Sequence, residues 1–148
     1  MRAVLMAVVV LALAGCFTPA RQVIRQQSIA SIQPSEREAT FSRALQSVQR
    51  RGWMVAVSDR AAGLLTTQTM NTGTRPCGAL TCESRGTLQI TIADSGAVSV
   101  NLHREMFVDY LGVRKWFVPT AEQDVAAIES EQAEILAEII PPAAAVKP

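Results

Sequence analysis

The sequence predicts an α+β fold, a two-layer sandwich in which an antiparallel sheet of about four strands carries two helices on one face. Two observations support this prediction. Amphipathic helical patterns lie near both ends of residues 35–140, and short segments with alternating apolar and polar residues lie between them. Each helix has one apolar stripe and each strand has one apolar face, so the helices and the sheet bury these surfaces against each other.

The first helix is predicted over residues 35–51. Ser35 and Glu38 have the spacing of a capping box, in which a hydroxyl and a carboxylate satisfy the first free amides. Gly52 is placed to end the helix in the left-handed conformation. The apolar stripe follows i, i+3, i+4, i+7 spacing and consists of Phe41, Ala44, Leu45 and Val48.

Two hairpins are predicted from alternation of apolar residues. Turn sequences at 59–63 and 94–96 join the strands of each hairpin, and the four strands cover residues 53–58, 64–70, 87–93 and 97–104. Residues 71–85 are polar and contain glycine and proline, so they are predicted to form a loop that carries Cys77 and Cys82.

The end of the domain is predicted from two further segments. Residues 105–118 are rich in apolar side chains and fit either a third hairpin turning near Gly112 or an irregular segment over the open end of the core. Thr120 is the predicted cap of the last helix, and Pro141 is placed to stop it. The buried side of that helix is predicted to contain Val125, Ile128, Ile135 and Ile139, and residues 141–148 are predicted to be a disordered tail.

The amino terminus reads as an export signal. Arg2 precedes a wholly apolar run over residues 3–14, which is shorter than the roughly 20 residues that a membrane-spanning helix needs. The run ends in Leu-Ala-Gly-Cys at 13–16, which is similar to the lipobox of bacterial lipoproteins. The resemblance covers residues 1–16 and implies that residues 1–15 are removed and that Cys16 carries diacylglycerol and usually an acyl chain such as palmitate on its new amino group.

The resemblance to lipoproteins also implies a location. Two or three acyl chains hold a protein on a membrane far more firmly than one. Residues 16–34 are then a lipid-anchored tether, part of which could also add an edge strand to the domain. Phe17 stands where the family's inner-membrane retention signal is typically Asp, so the expected location is the outer membrane, facing the periplasm.

Charge and cysteine content limit the function classes. Without Arg2, the 14 basic residues become 13 and equal the 13 acidic ones, so we expect no nucleic-acid partner. In an exported chain Cys77 and Cys82 are expected to form a structural disulfide, with free or metal-binding thiols as the alternatives. With one histidine, His103, the cysteines fall short of a four-ligand zinc site, and we expect no metal and no cofactor.

An enzyme is not expected. His103 is predicted on the solvent side of its strand, and no nucleophile or orienting group is singled out beside it. The acidic residues between 120 and 140 are expected to form a solvated helix face, with binding of cations or of a basic partner as the alternative.

A second resemblance concerns residues 37–70. An amphipathic helix ending in Arg-Gly-Trp at 51–53 is followed by a strand and by Ser-Asp-Arg-Ala-Ala-Gly-Leu-Leu-Thr at 58–66. This segment resembles the helix-grip units of BamC-type outer-membrane lipoproteins. The resemblance implies the fold more than the function.

The expected function is that of a non-enzymatic binding or assembly adaptor for another envelope component. The alternative is a carrier of a small ligand or lipid in the groove between helices and sheet. Tyr110, Arg114 and Trp116 are the candidate partner-binding residues, because Tyr, Trp and Arg are the usual anchors of interfaces. The competing interpretation is that residues 106–118 cap the core and are buried.

Overall fold

The computed structural model describes residues 28–77, 80–120 and 122–140. The predicted signal peptide, Cys16, most of the predicted tether and the tail at 141–148 lie outside these residues. In chain order the elements are β1 Ser28–Ser31, a 3-10 turn Pro34–Glu36, α1 Arg37–Arg50, β2 Val55–Asp59, β3 Leu64–Thr67, β4 Met70–Cys77, β5 Leu80–Ile92, β6 Ala97–Tyr110, β7 Val113–Phe117 and α2 Glu122–Ile139.

The α+β class with an antiparallel sheet and two helices is confirmed, but the sheet has seven strands instead of about four. The long hairpin β5–β6 is its centre. The half of β5 nearest the β5–β6 turn pairs with β3, which pairs with β2, and the other half pairs with β4. In the same way, β6 pairs with β1 near the turn and with β7 at its far end. Strands β5 and β6, of 13 and 14 residues, are therefore long enough for each to pair with two different strands along its outer edge.

The predicted polar loop at 71–85 is wrong, because most of these residues belong to β4 and β5. Cys77 is the last residue of β4, and Cys82 lies within β5, opposite Arg75. Both faces of this hairpin are largely polar, so it lacks the alternation that identifies a half-buried strand. Hydrogen bonds between polar side chains help to join β4 and β5 instead. For example, the Thr72 hydroxyl donates a hydrogen bond to the Ser84 hydroxyl at 2.9 Å.

The hairpin interpretation of residues 105–118 is confirmed. Strands β6 and β7 pair from Met106 opposite Phe117 to Tyr110 opposite Val113, around a turn at Leu111 and Gly112. Part of the predicted tether was expected to add an edge strand to the domain. Strand β1 does so by pairing with the start of β6.

Helix α1 begins at Arg37, two residues later than predicted. The 3-10 turn precedes it, and the Glu36 carboxylate accepts a hydrogen bond from the Gln33 amide at 3.2 Å, in place of the predicted pairing of Ser35 with Glu38. Gly52 follows the helix with φ +77°, as the sequence indicates.

The core lies between the two helices and one face of the sheet. Phe41, Ala44 and Val48 of α1 are buried, as predicted, whereas Leu45 is only partly buried at the edge of the cluster. Helix α2 begins at Glu122 and buries three of its four predicted residues, leaving Val125 half-buried. The sheet contributes mainly aliphatic side chains, namely Leu65, Leu88, Ile90, Ile92, Val98, Val100 and Leu102.

Two acidic residues of α2 pair with arginines of the domain. Glu131 accepts a hydrogen bond from Arg104 of β6, and Glu138 forms an ion pair with Arg51. The acidic helix face is therefore partly used inside the domain. Within the part of the chain that the structure describes, neither helix is long and apolar enough to cross a membrane.

Candidate partner-binding surface

The pairing of β6 with β7 divides the three predicted contact residues between the two faces of the sheet. Directly paired residues in an antiparallel ladder point to the same side, and neighbours along a strand alternate. Arg114 is opposite Asp109 and Trp116 is opposite Phe107, so these pairs share one face. Tyr110 is opposite Val113 and belongs to the other face, on which the helices pack.

The face that bears Trp116 is the one opposite the helices, which we call the open face. Its side chains along β6, at Ser99, Asn101, His103, Glu105 and Phe107, are exposed or half-buried, whereas the residues between them are buried. Such a half-covered sheet is typical of antiparallel architectures.

An aromatic platform lies at one end of the open face and consists of Arg85, Glu105, Phe107 and Trp116. The rings of Phe107 and Trp116 are tilted by 43° with centroids 5.2 Å apart. The guanidinium of Arg85 lies over the Trp116 ring, 4.0 Å from its centroid. Both distances are within the range of attractive aromatic and cation–π contacts. The platform is thus ordered by contacts among its own side chains.

Glu105 fixes the position of Arg85 on the platform. The Arg85 Nε donates a hydrogen bond to Glu105 Oε2 at 2.7 Å, and His103 Nε2 is 3.7 Å from Glu105 Oε1. The hydrogen bond from Arg85 is the main cause that holds the pKa of the Glu105 carboxyl below its ordinary value of 4.5, against a smaller opposing effect of burial. The carboxylate is therefore charged at neutral pH and keeps the guanidinium over the tryptophan ring.

The tip of the β6–β7 hairpin is a second, separate apolar surface. We define the hairpin tip as Tyr110, Leu111, Gly112 and Val113; its three side chains are 52%, 85% and 50% exposed. Just beyond it, Arg114 forms an ion pair with Asp109 at 3.1 Å, and Lys115 is exposed. Of the two interpretations of residues 106–118, exposure therefore applies to the tip, whereas Met106 is buried and Trp116 is half-buried.

The cysteine predictions fall partly outside the described residues. Cys82 is buried, but the side chain of Cys77 and the whole of Cys16 are not described. Pairing between Cys77 and Cys82 stays a prediction, supported by their positions on facing strands of one hairpin. Among residues 28–77, 80–120 and 122–140, no group of three or more His, Cys, Asp and Glu is arranged to hold a metal ion.

Sequence reasoning named Tyr110, Arg114 and Trp116 as candidates, and of these the platform contains Trp116. It missed Arg85, Glu105 and Phe107. The missing information was register, since Arg85 reaches Trp116 across β6, a strand that separates β5 from β7. One signal was present: a hairpin turning at Leu111 and Gly112 places Phe107 directly opposite Trp116.

Comparison with known proteins shows the fold alone. No family model and no curated protein matches this chain. Among solved structures, the chain is similar to the crystal structure of a TBP-like protein from Parabacteroides distasonis ATCC 8503, with a TM-score of 0.54 and 10% sequence identity. The match covers 80% of this chain and 93% of that one.

Proposed function

We propose that this chain is a lipid-anchored lipoprotein of the cell envelope that acts as a non-enzymatic adaptor for another envelope protein. In this proposal Cys16 carries the lipid, the outer membrane holds the chain, and the domain faces the periplasm. The Leu-Ala-Gly-Cys sequence at 13–16 supports the anchor. The aromatic platform supports the adaptor function and is the observation on which it mainly rests.

The platform has the chemistry of an interface anchor. Residues that dominate binding energy at protein interfaces are enriched in Trp, Tyr and Arg and tend to be held in place before the partner arrives. Trp116 and Arg85 are stacked, and Arg85 is held by Glu105, so little side-chain freedom remains to be lost on binding. The platform lies on the open face, where a partner meets it without displacing a helix.

The helix–sheet interface gives less support to the alternative, a carrier of a small ligand or lipid. A carrier in this groove needs space between the helices and the sheet. In the described residues, Phe41, Val48, Ile135 and Ile139 of the helices and Ile92 and Val100 of the sheet are at most 2% exposed and belong to one continuous cluster. Side chains of the helices and of the sheet therefore pack against each other in one cluster, which favours the adaptor over the carrier.

Affinity capture from detergent-solubilised membranes tests the adaptor function. We expect Trp116→Ala to abolish capture of an envelope protein that the wild-type lipoprotein retains, with only a small decrease in Tm because Trp116 is half-buried. Gln89→Ala, an exposed position of the same open face outside the platform, is the matched control and should keep the partner.

Arg85→Gln provides a second variant in case Trp116→Ala unfolds. It removes the guanidinium over the Trp116 ring and should weaken capture while circular dichroism stays that of the wild type. If both folded variants retain every protein that the wild type captures, the platform is not the contact surface and the adaptor proposal loses its main support.

A further inference from the structure

The hairpin tip presents apolar side chains at the end of the sheet, away from the core. Leu111 is the most exposed large apolar residue of the described chain, and Tyr110 and Val113 flank it. Arg114 and Lys115 follow directly, so cations border the apolar side chains on one strand. An apolar projection with an aromatic ring and adjacent basic residues is the pattern of surfaces that enter the boundary between lipid headgroups and acyl chains.

Leu111 also has an unusual backbone. Its φ is +48°, and it is the sole non-glycine residue with positive φ among the described residues. This region is unfavourable for a bulky apolar residue, and a turn residue such as Asn or Gly adopts it with less strain. A leucine here adds no contact within the core, so its projection is better explained by something outside the domain.

The direction of β1 puts its first residue, Ser28, nearer to the hairpin tip than its last residue, Ser31. Strand β1 is antiparallel to β6, with Ser28 opposite Val100 and Ser31 opposite Ala97. The chain therefore enters the sheet at Ser28 from the side on which β6 continues toward Tyr110. The β5–β6 turn at Asp94 and Ser95 lies at the opposite end.

The length of the preceding chain is sufficient for both ends to meet one membrane. From Val100 to Tyr110 along β6 the distance is roughly 34 Å, at about 3.4 Å per residue. The twelve steps from Cys16 to Ser28 span at most roughly 40 Å when extended. A lipid on Cys16 and the hairpin tip can thus reach the same bilayer surface, and a tilted sheet needs still less chain.

We infer that the hairpin tip inserts into the surface of the membrane that carries the lipid anchor, so that Tyr110, Leu111 and Val113 enter the headgroup region and Lys115 meets anionic lipid. The inference rests on the proposed lipidation of Cys16 for its geometry. It assigns the tip to the bilayer and leaves the open face, with the aromatic platform, available to a protein partner. The lipid on Cys16 and the hairpin tip then contact the membrane at two points and fix the orientation of the open face.

Depth-dependent fluorescence quenching tests the inference in the full lipoprotein. Leu111→Cys carries an environment-sensitive NBD label, and the protein is reconstituted in vesicles of phosphatidylethanolamine and phosphatidylglycerol that contain nitroxide-labelled lipid. Ser95→Cys, in the exposed turn at the opposite end of the sheet, is the matched control. Wild-type protein labelled in parallel supplies the background from native cysteines, and Val113→Cys supplies a second tip position.

We expect the label at 111 to shift its emission to shorter wavelength and to be quenched by nitroxide lipid, as should the label at 113, while the label at 95 stays unquenched. Equal quenching at both ends, quenching at 95 alone, or no quenching at either end overturns the inference. The intact mass of the same preparation separately shows whether Cys16 is acylated. Failure of the anchor is therefore distinguished from failure of the tip to insert.

Discussion

Arg104 of β6 and Glu131 of α2 form an ion pair within the helix–sheet interface. The Arg104 Nη2 donates to Glu131 Oε2 at 2.7 Å, and the arginine side chain is only 2% exposed. Arg75 of β4 approaches the same carboxylate oxygen at 3.8 Å. One carboxylate thus forms ion pairs with two arginines and links α2 to two strands of the sheet.

Glu131→Ala should lower the free energy of unfolding by about 3 kcal/mol. Removing one partner of a buried charge pair leaves the other buried without its counter-charge, and this loss is large even when the pair itself adds little net stability. Urea unfolding measures the change. Glu134→Ala makes the same chemical change at an exposed position of α2 and should cost less than about 0.5 kcal/mol. Similar decreases in the free energy of unfolding for the two variants would show that the Arg104–Glu131 pair contributes little to stability.

Glu138 should make stability depend on pH in the acid range. The hydrogen bond from Arg51 is the main cause that lowers the pKa of its carboxyl below 4.5, and the hydrogen bond from Ser47 adds to it. Because the folded-state pKa is lower than the unfolded one, the contribution is present above pH 4.5 and is lost as the pH falls through the folded value.

Urea unfolding at a series of pH values checks this prediction. The Glu138 side chain is 39% exposed, so solvent screening limits the effect to at most ~1 kcal/mol. Glu138→Gln should flatten the acid limb of the curve of stability against pH, and Ser47→Ala should flatten it less. An acid limb unchanged by Glu138→Gln would contradict the assignment.

Cys77 and Cys82 should be bridged in the exported protein. Alkylation of the denatured, unreduced chain should modify neither of them, and two reactive thiols per chain would refute the pairing. Reduction should cost on the order of 2 kcal/mol, the entropy of so short a closed loop. The long β5–β6 hairpin and both helices should remain folded, since their core cluster lies apart from the β4–β5 turn.

The parts of the fold that the sequence predicts are those with a hydrophobic period. The stripe containing Phe41, Ala44 and Val48 identifies α1, and alternation around Leu88 and Val100 identifies the inner halves of β5 and β6. Such a pattern shows which face of a helix or strand is buried, but it does not show how far a strand continues. Leu45 lies at the margin of the stripe, which explains why it is only partly buried.

The parts that the sequence did not predict depend on polar contacts and on register. Residues 71–85 show no apolar alternation, because the polar side chains of Arg75 and Ser84 occupy the helix side of this half of the sheet. Glu131 of α2 forms ion pairs there with Arg75 and with Arg104 of β6. For the candidate site, residue type was sufficient to name Trp116 as a candidate anchor. The β6–β7 hairpin places Phe107 opposite Trp116, but Arg85 comes from β5, and only the strand order brings it to the platform.

Lipid attachment at Cys16 underlies both the adaptor proposal and the membrane contact of the hairpin tip, and the intact mass of the protein extracted from membranes tests it directly. The mass should equal that of the chain beginning at Cys16 plus glycerol and two or three acyl chains, and Cys16→Ser should leave the unprocessed precursor. A mature chain whose mass contains no acyl groups, or a normally processed and soluble Cys16→Ser protein, would contradict the lipid anchor.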